Sequence, residues 1–183
     1  TVVESFFISA SNRTAGFNSI NMVTLTAPTM MICIFLMWIG ASPASTGGGI
    51  KTTTFAIATL NIIALAKGKT RTEIYRREVS DNSLRRAFAI IALSLLVNGI
   101  AIFLLMITEK DKDLLSLAFE TFSAYSTVGL SLNLTPVLSP AGKIIIIFVM
   151  FIGRVSMLSL LIAITKREKY FNYRYPKEEI MMN

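Results

Sequence analysis

The sequence predicts an all-α membrane protein. Its repeating unit is a membrane helix, a re-entrant pore helix, a filter-like turn and a second membrane helix, and one span is broken by a Gly-rich loop. Three observations predict this fold class. First, the 183 residues are 53% hydrophobic and 16% charged, with a mean hydropathy of +0.61. Soluble domains usually carry about a quarter charged residues, and a soluble chain of this size could not hide so much apolar surface. Second, one short device occurs twice, as Thr14-Ala15-Gly16-Phe17 and as Thr127-Val128-Gly129-Leu130, each after a Ser-containing segment and before a longer apolar stretch. Third, a polar run centred on Gly47-Gly48-Gly49 interrupts an otherwise apolar region.

The elements follow in order. Residues 1–12 read as a short helix that stops at Arg13, and residues 13–21 as a turn with an extended exit. Residues 22–40 are apolar and form most of a span. The pattern breaks at Gly40-Ala41-Ser42-Pro43-Ala44-Ser45-Thr46-Gly47-Gly48-Gly49-Ile50-Lys51 and returns over residues 55–66. Neither half reaches the roughly 20 residues a span needs. Together they predict one helix interrupted at membrane depth, where irregular backbone is tolerated only against protein or a water-filled cavity. Residues 67–86 are a charged linker, and residues 84–108 a full span. Glu109-Lys110-Asp111-Lys112-Asp113 is a polar turn, residues 114–124 a second half-helix and residues 133–141 a return with Pro136 and Pro140. Residues 142–165 are the last span, and a basic tail begins at Lys166. The linker and the tail carry the Lys/Arg excess, which places both inside the cell. Both half-helices then enter from outside.

The net charge of +7 fits this positive-inside pattern better than a nucleic-acid surface, because the basic residues sit between apolar segments and not along one face. His is absent and Cys33 is the only cysteine. This excludes Cys/His metal sites, Ser-His-Asp and Cys-His catalysis and an intrachain disulfide. Cys33 lies in an apolar run and reads as a packing or lipid-facing residue. No carboxylate falls inside a predicted span, so an intramembrane enzyme has little to work with.

A Thr-x-Gly-apolar turn after a half-helix is what a cation filter made of backbone carbonyls requires. Gly reaches φ > 0 without steric cost, which lets successive C=O groups aim at one axis. The carbonyls of Thr14, Ala15, Gly16 and Phe17 and of Thr127, Val128, Gly129 and Leu130 would replace part of an ion's water shell. Each half-helix would point the negative end of its dipole at the same place. The bulky fourth residue can wedge the strand from behind. As ordinary helix-end turns, Gly16 and Gly129 would be C-caps, but that reading leaves the repetition unexplained. Ser45-Thr46-Gly47-Gly48-Gly49-Ile50-Lys51-Thr52 superficially suggests a phosphate loop, yet Ile50 separates Gly49 from Lys51 and no soluble strand precedes it. It reads instead as a mobile polar gate beneath a filter, or as a fixed kink. Arg154, about eleven residues (roughly 16 Å) from Thr165 along a helix, is too deep to snorkel easily and is a functional residue by default. It can act as a barrier to cations or pair with loop carbonyls, and Lys51 can line the same vestibule. Glu109, Asp111, Asp113 and Glu120 supply an outer cation-attracting field or form a solvated turn.

At these residues the chain resembles the Trk/Ktr/HKT superfamily of potassium transporters, and within it the Ktr-type membrane subunit. The matching pieces are Asn12-Arg13-Thr14-Ala15-Gly16-Phe17-Asn18-Ser19, residues 40–54, Ser126-Thr127-Val128-Gly129-Leu130-Ser131, Gly153-Arg154-Val155 and the Tyr175-Pro176 tail. Ser156-Met157 departs from the Gly-Pro common in relatives. The resemblance implies a potassium-channel-like fold of four repeats, a homodimer with one pore per subunit, and a cytoplasmic nucleotide-binding regulatory ring of RCK type. By it, residues 1–66 are the end of the third repeat, 67–83 a cytoplasmic linker, 84–165 the fourth repeat and 166–183 a cytoplasmic tail. The chain opens without Met on a half-helix, so the N-terminal repeats of the same polypeptide are expected to be missing. The resemblance assigns potassium to the Thr14, Gly16, Thr127 and Gly129 carbonyls, with sodium possible. It assigns Gly47, Gly48, Gly49, Lys51 and Arg154 to the gate. No covalent cofactor and no nucleic acid is expected, and the location is the cell membrane, multi-pass. The function so implied is potassium uptake with sodium dependence. The alternatives are a sodium-selective relative and a non-conducting scaffold or regulatory membrane subunit.

Overall fold

The structure, a computed structural model, describes residues 2–18, 21–69, 71–74 and 77–155. The end of the last expected span, Ser156-Met157, the 166–183 tail, Ser19 and Arg76 lie outside the described residues.

Helix α1 (Val2–Ser11) is short, as expected, and leads into the first Thr-x-Gly turn. A 3-10 turn (Met22–Thr24), capped by the Asn21 side chain, brings the chain into α2 (Ala27–Trp38). Pro28 in the first turn of α2 removes no helical hydrogen bond there. The chain leaves helical geometry at Ile39, and α3 (Thr52–Ala66) resumes after Lys51. Gly68, at φ +68, closes α3: its N–H donates to Leu65 O at 2.9 Å and the Lys69 N–H to Ala64 O at 3.0 Å, so the last carbonyls are satisfied.

The charged linker contains a small antiparallel ribbon that sequence reading does not anticipate. Strand β1 (Glu73–Ile74) pairs with β2 (Arg77–Glu78), and Arg71 lies 3.5 Å from Glu78. Buried Thr72 ties the ribbon to α3 by accepting from Asn61 Nδ2 at 2.9 Å.

Helix α4 (Asp81–Thr108) starts at a Ser80 cap and runs 28 residues, about 42 Å. Among the described residues it is the helix long and apolar enough to cross a membrane alone, whereas α1, α2 and α3 are shorter apolar helices. Helix α5 (Leu114–Tyr125) begins at an Asp113 cap, and α6 (Pro140–Val155) follows a 3-10 turn (Thr135–Val137).

Helix α5 is the hub, packing against α2, α4 and α6. One core cluster joins Val97, Ala101 and Leu105 of α4 to Leu117 and Tyr125 of α5 and Ile146 and Val149 of α6. A second joins Cys33 and Met37 of α2 to Phe119, Val128 and Leu130. Cys33 is thus a packing residue. The outward sides of α2, α4 and α6 carry exposed Ile32, Phe35, Leu96, Phe103, Ile147 and Phe148, a surface suited to lipid tails.

Two carboxylates expected in a solvated or field-forming role are buried hydrogen-bond acceptors. Glu120, inside α5, accepts from the Ser131 hydroxyl, from Thr135 N at 3.2 Å and from Thr135 Oγ1 at 3.1 Å. It thereby holds the return after the second turn. Glu109 accepts from Ser139 N at 2.8 Å at the start of α6, where a helix N-terminus favours negative charge. Hydrogen bonds from the Ser139 hydroxyl and amide hold the Glu109 carboxyl below its ordinary value of 4.5, against the opposing effect of burial, with Lys112 and Lys143 assisting. A depressed carboxylate pKa stabilises the fold above the unfolded value and loses that contribution as pH falls through the folded one. Wild type is therefore expected to lose more melting temperature between about pH 5 and pH 3 than Glu109→Gln, which starts lower at neutral pH. Parallel acid limbs in thermal melts of the detergent-solubilised proteins would contradict this role.

Candidate functional site

The two Thr-x-Gly turns share one backbone signature. Thr14 and Thr127 have φ of 67° and 55°, and Gly16 and Gly129 have φ of 72° and 90°. The residues between them stay out of that region. In an extended strand successive carbonyls alternate sides, and a left-handed residue at every second position brings them round to one side. A β-branched residue at positive φ is a genuine outlier, costing on the order of 1–3 kcal/mol. Here it occurs at the matching position of both turns.

The last turn of each half-helix holds this conformation. Ala15 N and Gly16 N both donate to Ser11 O at 3.2 Å, while Thr127 N donates to Ala124 O at 3.2 Å and Val128 N to Ser123 O at 3.0 Å. The Ser11 hydroxyl donates to Phe17 O, and the Ser123 hydroxyl to Leu130 O at 2.6 Å. A serine at each helix end thus clips the last carbonyl of its turn. The sequence showed these serines only as part of Ser-containing segments. Their role depends on a contact six or seven residues away that no local pattern reveals.

The turns also meet. A Cβ on Gly16 would lie 2.0 Å from Val128 O and 3.8 Å from Gly129 Cα, whereas a Cβ on Gly129 meets nothing within 4 Å. Leu130 is buried in the second core cluster, as a wedge behind its strand requires, and Phe17 is 73% exposed against the described residues.

The glycine loop lies directly against both turns. A Cβ on Gly47 would fall 2.8 Å from Thr14 Oγ1, and one on Gly48 would fall 2.8 Å from Thr127 Cγ2 and 2.9 Å from Tyr125 O. Gly48 N donates to Thr127 Oγ1 at 2.8 Å. Two cations hold the loop from its other side. Lys51 Nζ donates to Gly47 O at 2.6 Å and Ser45 O at 3.0 Å, and Arg154 Nη1 donates to Thr46 O at 2.6 Å. Arg154 can reach the loop because Gly153 lets α6 approach α5: a Cβ there would sit 1.9 Å from Tyr125 O. Of the two roles expected for Arg154, pairing with loop carbonyls is the contact present.

Cavities flank the arrangement. One of about 330 Å³ is lined by Glu120, Ser123, Thr127, Gly129, Ser131 and Thr135. The other, about 340 Å³, is lined by Ser45, Thr46, Gly47, Lys51, Gly153 and Arg154. Thr127 lines the first and Gly48 lines the second, and the two residues are joined by the hydrogen bond described above. Among the described residues no three His, Cys, Asp or Glu side chains come together. The oxygen atoms on offer at the turns belong to carbonyls and hydroxyls, ligands suited to a hard monovalent cation.

A family model described as a cation transport protein, TrkH, matches residues 1–173. Among similar proteins, the Ktr system potassium uptake protein B of Bacillus subtilis is 43% identical over 176 residues, covering 96% of this chain and 39% of the relative. The potassium/sodium uptake protein NtpJ of Enterococcus hirae is 39% identical over 188 residues, covering 99% and 41%. The Ktr system potassium uptake protein B of Vibrio alginolyticus is 42% identical over 180 residues, covering 97% and 38%. The chain thus spans about two-fifths of the length of these relatives.

The contrast between the two turn glycines is testable. Gly16→Ala combines positive φ with a backbone clash and is expected to cost roughly 2–4 kcal/mol of stability. Gly129→Ala, strained in φ but with open space beside it, is expected to cost about 1–2 kcal/mol. Thermal melts of the two variants in detergent check the order, and a more damaging Gly129→Ala would contradict the observed approach of the turns.

Proposed function

Because this chain belongs to the TrkH family of cation transport proteins, we propose that it lines the conduction path of a multi-pass potassium uptake protein in the cell membrane. The family consists of transporters and not enzymes. The observation that carries the reading is the contact between two turns of the same alternating φ, each at the end of a half-helix. In this reading the carbonyls of Thr14, Gly16, Thr127 and Gly129 ligate potassium, with Ala15, Phe17, Val128 and Leu130 completing the strands. Backbone oxygens exchange for the ion's water shell, and the C-terminal dipole ends of α1 and α5 add negative potential.

The glycine loop is the gate. In the position described, the Gly47-Gly48 backbone occupies the space under Thr14 and Thr127, and Lys51 and Arg154 hold it there. Two positive charges on the inner side also oppose passage of a cation. Opening requires the Gly48–Thr127 and Arg154–Thr46 hydrogen bonds to break together, each worth about 0.5–3 kcal/mol net. Such a gate is light enough for a regulatory subunit to bias.

The remaining assignments follow the family. Residues 1–66 are the end of one pore repeat and 84–165 the next, joined by a cytoplasmic linker at 67–83, and further repeats of the same polypeptide complete the ring of strands. The protein works as a homodimer with a cytoplasmic nucleotide-binding ring of RCK type. Sodium enters as a coupled or competing ion, a reading favoured by the similarity to a protein named for both potassium and sodium uptake.

Two experiments test this reading in a potassium-uptake-deficient bacterium expressing the intact gene product, with uptake scaled to the protein in the membrane. Gly129→Ser, where there is room for the side chain, and Gly16→Ser are expected to abolish the preference for potassium over sodium; unchanged uptake removes the filter assignment. Deletion of residues 47–49, or Arg154→Ala, is expected to raise flux several-fold, in line with the loss of one or more hydrogen bonds. Flux at or below wild type in both variants removes the gate assignment.

A further inference from the structure

The geometry points to Trp38 and Ser94 as a positioning pair that fixes the neck of the glycine loop, and so sets how closely the loop approaches the two turns. The inference rests on the gate reading above and adds residues that no motif singles out.

The loop is pinched where it begins and ends. Ile39 and Ile50 form a parallel bridge, Ile50 N donates to Trp38 O at 3.1 Å, and Thr52 N donates to Ala41 O at 3.4 Å. Trp38 is therefore the residue whose carbonyl closes the neck. Its ring packs with Phe35 of α2 and Phe55 of α3, with centroids 6.2 and 6.4 Å away, and the two phenylalanines stand edge-on at 6.0 Å. These contacts fix the end of α2 to the start of α3, but they do not fix either one to the rest of the protein.

Packing of α2 on α5 and of α3 on α4 does that broadly, and the indole adds one directed bond at the neck. Trp38 Nε1 donates to Ser94 Oγ of α4 at 3.1 Å. Ser94 is fully buried, and its own hydroxyl proton goes to Ile91 O at 2.7 Å, which leaves its lone pairs turned to the indole. Asn98, one turn on, donates to Ser94 O at 2.8 Å. Helix α4 is the long span that also packs on α5 and α6, the elements that carry the second turn and Arg154. The Trp38–Ser94 bond thus references the loop neck to the same helix that references Thr127 and Arg154.

The reason for the pair is the shortness of the contacts at the loop tip. Gly48 N–Thr127 Oγ1 at 2.8 Å and Arg154 Nη1–Thr46 O at 2.6 Å weaken steeply with displacement. A neck free to shift by an ångström would lose both. The directed Trp38–Ser94 bond adds orientation to the packing of the flanking helices.

The test uses the intact gene product in potassium-uptake-deficient cells, with uptake scaled to protein in the membrane. Trp38→Phe keeps the ring and removes the N–H, and Ser94→Ala removes the acceptor. Each is expected to raise potassium uptake roughly two- to tenfold, the equivalent of one lost hydrogen bond, with the potassium-to-sodium preference unchanged. Ser94→Thr keeps the hydroxyl and is expected to stay within about twofold of wild type. The double variant is expected to rise no higher than the larger single, because both substitutions remove the same bond. Uptake at or below wild type in both single variants, or a double variant equal to the product of the singles, overturns the pairing. Deletion of residues 47–49 in the same assay separates this failure from that of the gate reading. If the deletion raises uptake and the single variants do not, the pair is wrong and the gate stands; if neither the deletion nor Arg154→Ala raises uptake, both fall.

Discussion

The constraint on which this structure depends is backbone packed on backbone without side chains between. At Gly16, Gly40, Gly47, Gly48 and Gly153 an added Cβ would come within 3 Å of another group, in four of the five cases a backbone carbonyl oxygen. Remove that freedom and the two turns cannot touch, the loop cannot rise to them, and α6 cannot carry Arg154 within reach of Thr46. The consequence is a site made of carbonyls, amides and hydroxyls with no carboxylate or imidazole at its centre. Such a surface can exchange with the water shell of a weakly charged ion and then release it.

Around this backbone contact the helices act as a frame. Helix α5 is enclosed by α2, α4 and α6 and ends in the second turn, so the turn inherits the rigidity of the best-packed element. Glu120 and Glu109 brace the two connections on the far side of α5. One holds the return after the turn and the other the start of α6. Buried carboxylates persist where several donors satisfy them, and here each one joins segments distant in sequence. Both turns share the φ pattern, and in both the Ser clip accompanies it.

Much of this was legible in the residues. The doubled Thr-x-Gly device, the break at residues 40–51 and the half-helices before each turn emerge because each follows from a local rule: glycine at positive φ, apolar runs too short to span, and polar punctuation. Arg154 stood out because charge inside an apolar segment is costly. What was not legible depends on contacts between distant residues. The β1–β2 ribbon hides in a segment whose composition reads as linker, and two-residue strands have no periodicity to detect. Glu109 and Glu120 read as surface charge because sequence gives no sign of Ser139 or Thr135 folding back on them. Trp38 looked like one more apolar residue at a span end, although its N–H needs an acceptor and only the fold shows that Ser94, 56 residues away, supplies it.

The account stands or falls on whether a monovalent cation binds at the carbonyls of the two turns. Anomalous diffraction from crystals of the intact gene product soaked in thallium, a potassium substitute with strong anomalous scattering, measures this directly. The account predicts a peak on the axis that the carbonyls face, within coordinating distance of carbonyl oxygens from both the Thr14-to-Phe17 and the Thr127-to-Leu130 strands. Thallium peaks only elsewhere, with none near either set of carbonyls, would contradict it.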